Sequence, residues 1–372
     1  MPAKRGPSRP TVLDVARLAG VSPATVSNVL TGRRVRAESA QRVKEAASSL
    51  GYAVDRAASQ LRSGRARVVA MLVPSLENPF FTSIVAAVER RLRTDDHDLV
   101  VASAADDVAT EHSRLQALLS WRPAGMIVIP CTDDFAGASL LAAAGTPYVV
   151  LDRVGGAHSA DTVAVDNVTA GLEAARHLID LGHRRLLIVA SARTLSNIKL
   201  RCKGIVEACA AAGLEEPALI EVGFDLESAV DRLQTWLSTH ERPSGIIALT
   251  NFATLGALAS LARFSVSIPG EVSLVGFDDY AWMRAAAPSI TAIRQPVEAM
   301  AELVWDRLRA RIDGDSSPVV QAMLPVSLVI RASTARCQTG DPAAGLPGQG
   351  LRRPSRTGGR QREQGTGRGA KA

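Results

Sequence analysis

The chain has 372 residues, of which 47% are hydrophobic, and its formal net charge is +6. That length predicts more than one domain with a large core, and the hydrophobic content excludes a chain that is disordered throughout. The charge is concentrated at the ends, because residues 1–67 carry 13 Lys and Arg against 4 Asp and Glu, and residues 336–372 carry 8 against 2. The middle is therefore acidic, with a net charge of −9, which favours a localised nucleic-acid module over a protein that is basic all round.

The sequence also argues against export, a membrane span and a metal site. Basic residues near the N-terminus are not followed by an apolar stretch, so we expect no signal peptide and a cytoplasmic protein. No apolar run reaches the roughly 20 residues that a membrane helix needs. We expect reduced thiols and no metal at the four cysteines, which form no C-x-x-C pair: Cys131, Cys202, Cys209 and Cys337.

After a basic arm at residues 1–10, the segment TVLDVARLAGVSPATVSNVL predicts two short helices joined by a tight turn. Thr11 and Asp14 have the spacing of a capping box, and a glycine ends the first helix. Ser22 caps the second helix, and Pro23 lies in its first turn. Two helices joined in this way are typical of a helix-turn-helix, whose second helix enters the major groove of DNA. An ordinary pair of packed helices is the alternative, and the basic flanks favour DNA binding.

The segments on either side of the acidic middle are predicted to be a small module, a linker and a tail. A third helix from Ala37 to Leu50 completes a headpiece over residues 11–54. Residues 55–67 read as a linker, because a helix this short is marginal in water. Residues 336–372 are rich in Gly, Arg, Pro and Gln, which predicts a disordered basic tail. That tail is either a solvated end or a further source of nonspecific attraction to DNA.

From residue 68 the pattern changes to apolar runs that alternate with helical stretches. Such runs are typical of parallel strands buried on both faces, so the predicted fold class is α/β. The pattern repeats before and after about residue 166, which predicts two halves of similar build. The runs are VVAMLV (68–73), DLVVAS (98–103), GMIVIP (125–130), PYVVLD (147–152), TVAVD (162–166), RLLIVA (185–190), GIIALT (245–250) and VSLVGFD (272–278).

These runs lack the glycine-rich loops of nucleotide-dependent enzymes. No G-x-G-x-x-G follows any of them, and the chain contains no G-x-x-x-x-G-K-[ST]. It has no nucleophile elbow either. We therefore expect no cofactor and no catalytic residues, and an enzyme remains a hypothesis without a supporting motif.

Polar and aromatic residues follow several of the runs, and ligands in open α/β sheets bind beyond the carboxyl ends of strands. Carboxylates, an arginine, amides and aromatic rings suit a polyhydroxylated ligand, because polar groups bond its hydroxyls and rings stack on its apolar face. Each residue alone is more often a loop cap or a salt-bridge partner, so the prediction depends on their joint placement. The predicted effector residues are Ser75, Asn78, Phe80, Phe81, Asp152, Arg153, Asn197, Arg201, Thr250, Asn251, Asp278 and Gln295.

The chain resembles the lactose-repressor (LacI/GalR) family of bacterial transcription regulators over roughly residues 8–335. In the headpiece the matching residues are Thr11, Asp14, Val15, Ala16, Ala19, Gly20, Val21, Ser22, Thr25, Val26, Ser27, Val43, Leu50, Gly51 and Tyr52. Further motifs follow in the family's order, namely LVPSLENPFF (72–81), GTPYVVLDR (145–153), VAVDNVTAGLEAARHLIDLGHRRL (163–186), RCKGIVEACAAAGL (201–214), RPSGIIALTN (242–251), IPGEVSLVGFDD (268–279) and PSITAIRQP (288–296).

The resemblance implies a core of the periplasmic-binding-protein-like type I, with two doubly wound parallel-sheet subdomains joined by three crossover strands. The N-terminal core subdomain is expected to contain residues 68–165 and 295–323. The C-terminal core subdomain is expected to contain residues 166–294 and 324–335. The headpiece precedes this core and is entirely helical.

The resemblance also implies which residues touch DNA. In the family the linker becomes a hinge helix on operator DNA, and Leu61 matches a leucine that wedges into the minor groove. Asn28 occupies a position that reads bases and suits adenine, although a phosphate contact alone is the alternative. The expected DNA-contacting residues are Thr11, Leu13, Ser22, Pro23, Ala24, Thr25, Ser27, Asn28, Arg33, Arg34, Arg56, Ala58 and Leu61.

Three effector positions match the family, and two positions depart from it. Asp152, Arg201 and Asp278 match frequent effector contacts. Thr250 and Asn251 stand where the family commonly has Asn and Asp, so one carboxylate is lost and the effector class stays open between sugars and other small polar ligands. Arg36 replaces the serine that usually caps the third helix.

The leading hypothesis is a ligand-responsive transcription regulator, most simply a repressor, that binds a pseudopalindromic operator as a homodimer. Its expected partners are operator DNA and a small polar effector such as a sugar, and its expected place is the cytoplasm, at the nucleoid. A solute-binding protein of a transporter would share the core, but it needs export and has no use for the headpiece. The sequence leaves open whether the effector releases or promotes DNA binding.

Overall fold

The structure is a computed structural model that describes residues 10–30, 34–52, 67–153 and 160–337. Several predictions fall outside these ranges: most of the basic arm, the linker, nearly all of the tail, and Arg33, Arg56, Ala58 and Leu61. Within the described ranges, no helix combines the length and apolar character needed to cross a membrane.

Three helices form the headpiece: α1 (Val12–Ala19), α2 (Pro23–Leu30) and α3 (Ala37–Ser49). The predicted helix pair and third helix are confirmed, and α3 ends one residue before the predicted Leu50. Arg36 precedes α3 and contributes no side-chain cap. The helices share a small apolar core of Val15, Ala16, Ala19, Val26, Val43, Ala46 and Ala47.

The predicted caps of the first two helices are present. The Thr11 N–H donates to Asp14 Oδ2 at 2.9 Å, and the Asp14 N–H donates to Thr11 Oγ1 at 3.4 Å, which closes the capping box. Gly20 ends α1 in the left-handed region, with a φ of 63°. At the start of α2, Ser22 Oγ accepts the N–H of Thr25 at 3.1 Å. These caps satisfy N–H groups that a short helix leaves without partners.

The first half of the core is one parallel sheet with helices on both faces. Its strands are β1 (Val68–Val73), β2 (Asp98–Ser103), β3 (Gly125–Val128), β4 (Tyr148–Leu151), β5 (Asp161–Val165) and, from late in the chain, β11 (Gln321–Leu324). Their spatial order is β11–β5–β4–β3–β1–β2. One face packs on α4 (Pro79–Thr94) and α12 (Val297–Ile312), and the other on α5 (Val108–Ser120) and α6 (Ala138–Ala144).

The second half repeats this design. Its strands are β6 (Leu186–Ala190), β7 (Ala218–Glu221), β8 (Gly245–Ala248), β9 (Ser273–Phe277), β10 (Thr291–Arg294) and β12 (Ser327–Val329), in the spatial order β12–β10–β9–β8–β6–β7. Only the β12–β10 pairing in this sheet, as far as the described residues go, is antiparallel. The helices are α7 (Asn167–Asp180) and α8 (Ser196–Ala211) on one face, α9 (Leu226–Thr239) and α10 (Asn251–Arg263) on the other, and the short α11 (Ala281–Ala285).

The chain crosses between the sheets three times: after β5, after β10, and between β11 and β12. The predicted α/β class with two parallel-sheet halves is confirmed, and each of the eight apolar runs contains a strand. The apolar-run criterion misses β7, β10, β11 and β12. Of these, β7, β11 and β12 lie at sheet edges and are partly exposed, so their composition lacks the continuous apolar signal of a central strand. β10 is buried, but its sequence TAIR begins and ends with a polar residue and so lacks a continuous apolar run.

Candidate functional site

A cleft lies between the two halves of the core, at the carboxyl ends of strands from both sheets. This position is where open α/β folds bind ligands. Ten of the twelve predicted effector residues line the cleft: Asn78, Phe80, Phe81, Asp152, Arg153, Asn197, Arg201, Thr250, Asp278 and Gln295. The structure therefore brings them together, and their contact with a ligand stays a prediction.

Asp152 follows β4 and enters the cleft from the first half of the core. It is buried, and its backbone takes a φ of 65°, which re-aims the side chain at the strand end. Its Oδ2 accepts from Asn197 Nδ2 of the second half at 3.1 Å, whereas its Oδ1 is buried without a partner among the described residues. Burial raises the pKa of Asp152, and the nearby Arg201 and Arg153 guanidiniums oppose that rise.

Asp278 follows β9 and occupies the opposite side of the cleft. Its Oδ2 accepts from the Tyr280 hydroxyl at 2.8 Å, and its Oδ1 accepts from Gln295 Nε2. Burial raises its pKa, with Arg201 acting in the other direction. The amide oxygen, Gln295 Oε1, is buried and has no partner within the described ranges. The cleft thus holds two buried acceptors for which the described residues provide no donor.

Arg201, on α8, is the cation between the two carboxylates. Its Nε donates to Asn167 Oδ1 at 2.8 Å, and its Nη1 donates to the Leu249 carbonyl at 2.7 Å. The guanidinium also lies 4.2 Å from the centre of the Phe277 ring. These contacts hold a buried charge in one orientation, which a flexible arginine would not keep by itself.

Arg153 is anchored within the first half. Its Nη1 donates to the carbonyls of Pro130 at 3.2 Å and Cys131 at 2.9 Å, and its Nη2 lies 3.8 Å from Asp106 Oδ1. The guanidinium lies 5.4 Å from the centre of the Phe81 ring. Its Nε, also buried, is the guanidinium N–H for which the described residues provide no acceptor.

Two predicted effector residues, Ser75 and Asn251, lie outside the cleft lining, and their contact with a ligand stays a prediction. Ser75 Oγ accepts the Glu77 N–H at 3.2 Å, so it shapes the loop after β1. Asn251 is buried at the start of α10, where its Oδ1 accepts from Trp282 Nε1 at 3.1 Å. Neighbouring residues of a helix point in different directions, so Thr250 faces the cleft while Asn251 turns away from it.

The cleft also contains residues that the sequence interpretation missed: Asp106, Ser191, Leu195, Ile198, Gly223, Phe224 and Phe252. Ser191 directly follows the predicted strand β6, so its position after a strand could have identified it. Gly223 and Phe224 follow β7, which the apolar-run criterion did not detect. Phe252 lies one residue after Asn251 on α10, and its direction depends on how that helix packs.

The cysteines show neither a bridge nor a metal site. All four are free, and three of them are buried. Burial raises the pKa of the Cys202 thiol to about 11, which leaves it protonated and a poor nucleophile or ligand at neutral pH. In the parts of the chain that the structure describes, no cluster of His, Cys, Asp and Glu has metal-binding geometry.

Most of the predicted DNA-contacting residues that the structure describes are exposed. Ser22, Pro23, Ala24 and Ser27 are exposed along α2, and Thr25 and Asn28 are half-buried beside them. Leu13, on α1, is 62% exposed. Thr11 and Arg34 are exposed as well. The orientation of these side chains toward DNA stays a prediction.

Two family models match the chain. Residues 11–55 match the model for bacterial regulatory proteins of the lacI family, and residues 175–334 match the model for the periplasmic binding protein-like domain. The first match coincides with the headpiece, and the second covers most of the second half of the core. The order of the two matches along the chain is the order of the two modules in the structure.

Known proteins share this organisation over nearly the whole chain. The regulator CelR of Thermobifida fusca is 31% identical over 336 residues, which cover 87% of this chain and 98% of the relative. The solved CelR–cellobiose complex superposes with a TM-score of 0.67 at 30% identity, over 87% of this chain and 100% of the other. The lac repressor dimer bound to operator and the anti-inducer ONPF superposes with a TM-score of 0.77 at 25% identity, over 88% and 100%. The chain belongs to the lacI family of bacterial regulatory proteins.

Proposed function

We propose that this regulator represses transcription by binding a pseudopalindromic operator as a homodimer, and that a small uncharged polyhydroxy compound in the cleft controls it. The observation that carries the proposal is the pair of buried acceptors without donors, Asp152 Oδ1 and Gln295 Oε1, facing one cleft in a chain with a helix-turn-helix. A buried acceptor without a donor costs free energy, and a ligand hydroxyl removes that cost.

The DNA-binding half of the proposal rests on the headpiece and on the family. α2 is the recognition helix of a helix-turn-helix, and its exposed residues are short enough to approach base edges. We further propose that residues 55–67, outside the described ranges, form the hinge and that Leu61 wedges into the minor groove. The lac repressor structure with operator is a dimer, which supports the same assembly for this chain. The site of action would be the cytoplasm, at the nucleoid.

The effector half of the proposal commits to an uncharged ligand. The charged residues that line the cleft are Asp106, Asp152 and Asp278 against Arg153 and Arg201, so carboxylates outnumber guanidiniums. Nη1 of each guanidinium already donates to a backbone carbonyl of the protein, which leaves less of either fork for a carboxylate or phosphate ligand. Vicinal hydroxyls instead supply the donors that the cleft lacks, while Phe rings cover an apolar ligand face. Cellobiose, the ligand in the CelR complex, is a compound of this class.

The mechanism follows from where the cleft groups come from. Asp152 belongs to the first half of the core, whereas Arg201 and Asp278 belong to the second. A ligand that bonds both halves shifts the equilibrium toward the closure that fits it, by no more than its difference in affinity for the two states. Closure changes the spacing of the two hinge segments in the dimer, and helices that short form or melt with small changes in spacing. The expected coupling is about 1–3 kcal/mol.

The test uses the full chain and a labelled DNA fragment from upstream of its own coding sequence. Fluorescence anisotropy gives the DNA affinity with and without three uncharged sugars: D-ribose, D-glucose and cellobiose. Three anionic sugar derivatives are measured beside them: D-ribose 5-phosphate, D-glucose 6-phosphate and D-gluconate. We expect specific DNA binding that an uncharged compound changes by about 5- to 150-fold. A lack of specific DNA binding would overturn the repressor proposal, whereas a response confined to an anionic compound would overturn the charge argument alone.

A further inference from the structure

Helix α8, which carries Asn197 and Arg201, starts without a cap of its own. Leu195 occupies the N-cap position and provides no side-chain hydrogen bond. The first N–H groups of a helix need acceptors from elsewhere. Asn197 Oδ1 accepts one of them, from Ile198, at 2.9 Å. The N–H of Ser196, the first residue of α8, donates to an acceptor in the other half of the core.

That acceptor is Asp133, in the loop between β3 and α6. Asp133 Oδ1 accepts the Ser196 N–H at 2.8 Å, and Oδ2 lies 3.4 Å from Lys199 Nζ one turn along the helix. The carboxylate therefore meets both the partial positive charge of a helix N-terminus and a lysine. Asp133 does not line the ligand cleft, so these contacts link the two halves outside it.

The loop that carries Asp133 is held firmly in the first half. The Cys131 N–H donates to the buried Glu111 carboxylate, and the Cys131 carbonyl accepts from Arg153 Nη1 at 2.9 Å. Phe135 is buried in the apolar core beneath the loop. Because the loop is held on both sides of Asp133, the Asp133 carboxylate keeps its place relative to the first half.

We propose that Asp133 is a positioning residue that caps α8 from the other half of the core and stabilises the closed arrangement of the two halves. Its regulatory consequence rests on the proposed function. Closure is favoured by the Asp133 contact and also by an effector that bridges the cleft. If the contact is lost, the effector has to supply all of the free energy of closure. By linkage, loss of the contact shifts DNA affinity in the direction opposite to the effector's own action.

The test compares Asp133→Ala with Asp134→Ala in the full-length protein. Asp134 is the exposed neighbour, and it accepts from Thr132 Oγ1 through its backbone oxygen, which the substitution keeps. Asp133→Ala is expected to weaken binding of the responsive uncharged sugar by about 3- to 10-fold, the usual range for a lost cap and a partly exposed ion pair. Operator affinity should move by a similar factor, away from the effect of that sugar. Asp133→Asn keeps an acceptor for Ser196 and should lie between wild type and Asp133→Ala.

Hydrogen exchange of the peptide spanning residues 192–199 measures the cap directly and needs no effector. In Asp133→Ala this peptide should exchange faster than in wild type, while Asp134→Ala should match wild type. Unchanged exchange would overturn the cap. Two outcomes for Asp133→Ala would overturn the regulatory role. One is faster exchange together with unchanged affinities for the sugar and the operator. The other is a change of operator affinity in the same direction as the effect of the sugar. If no sugar alters operator binding in wild type, the proposed function fails, and the exchange result still decides whether Asp133 caps α8.

Discussion

Asn28 is the residue on α2 whose chemistry offers the most specific reading of a base. Its amide can form two hydrogen bonds with adenine in the major groove, whereas the neighbouring Ala24 offers only a methyl contact. Asn28→Ala should therefore weaken binding to the cognate operator by about 1–3 kcal/mol and relax the preference for one base pair. Binding-site selection with wild type and variant measures both effects. An unchanged base preference with uniformly weaker binding would mean that Asn28 touches only phosphate.

In the proposed mechanism, Arg201 is the residue through which the cleft controls DNA binding. Arg201→Ala should abolish the response to effector and keep operator binding, because both the ligand contact and the charge between Asp152 and Asp278 are lost. The variant also leaves Asn167 Oδ1 and the Leu249 carbonyl without a donor. We therefore expect a loss of stability of about 1–3 kcal/mol as well.

The measurement for Arg201 is operator anisotropy with and without effector, at a temperature where thermal unfolding shows both proteins folded. Lys203→Ala is the matched control, because Lys203 is an exposed cation on the same helix and its ion pair among the described residues is with Glu207 of α8, at 3.7 Å. A wild-type response in Arg201→Ala would make Arg201 a structural cation and the cleft assignment wrong.

At the scale of elements, two glycines let α7 and α8 approach closely. A Cβ at Gly204 would lie 1.9 Å from the Val168 carbonyl oxygen, and a Cβ at Gly171 would lie 2.0 Å from the Arg201 carbonyl oxygen. Glycine inside a helix costs about 1 kcal/mol relative to alanine, so local propensity argues against both positions. The close approach explains them, because it sets the position of the helix that carries Arg201.

Gly204→Ala should separate the two helices, since the obstacle is backbone that cannot rotate away. We expect a loss of unfolding free energy of about 1–3 kcal/mol, or more, together with weaker effector binding. Thermal unfolding and sugar titration measure the two effects. Ala210→Ser, at an exposed position of the same helix, should change neither. Equal stability of Gly204→Ala and wild type would show that the helices accommodate a methyl group.

At the scale of the whole molecule, the two halves meet across buried carboxylates. We therefore expect acid to have opposite effects on the stability of the ligand-free core and on its affinity for the effector. Burial raises the folded-state pKa of Asp152 and Asp278 above the ordinary value of 3.8. Their ionised forms therefore cost stability at neutral pH, and that cost is lost as the pH falls through the raised pKa values. Effector hydroxyls, by contrast, bond best to the ionised acceptors.

Lowering the pH from about 7.5 to about 5 should relieve part of that cost in the ligand-free core while weakening effector binding by at most about tenfold per pH unit for each proton taken up. Thermal shift with and without effector follows both effects across this range. Asp166 does not mask them, because its bonds with Thr169 lower its pKa and its contribution is lost only at more acidic pH. His177 and His183 oppose the first effect, because burial lowers their pKa below the ordinary 6.5 and the fold therefore loses stability as the pH falls. The difference between the scans with and without effector is therefore the quantity that reports on the carboxylates. Asp152→Asn should bind effector weakly and with less dependence on pH. Effector binding that strengthens toward pH 5 would contradict the role given to the carboxylates.

Local patterns in the sequence account for much of the fold. Thr11, Asp14 and Ser22 cap their helices as predicted, because capping depends only on residues three or four positions apart. Each apolar run contains a strand, because burial on both faces leaves little room for polar residues. Ten of the twelve residues that we predicted from their positions after strands line one cleft, because the carboxyl ends of parallel strands share an edge. The same logic missed Phe224, since β7 lies at an edge and its composition is mixed.

By itself, the sequence determined the α/β class, the helix-turn-helix and the general place of the ligand cleft, because each follows from short-range spacing and strand direction. Tertiary structure alone decided which way each cleft residue faces. Thr250 and Asn251 are neighbours in the chain, yet one lines the cleft and the other bonds Trp282, since the packing of α10 sets their directions. The cap of α8 by Asp133 joins residues that are 63 positions apart. A local sequence pattern cannot predict such a contact, because it forms between the two halves of the core.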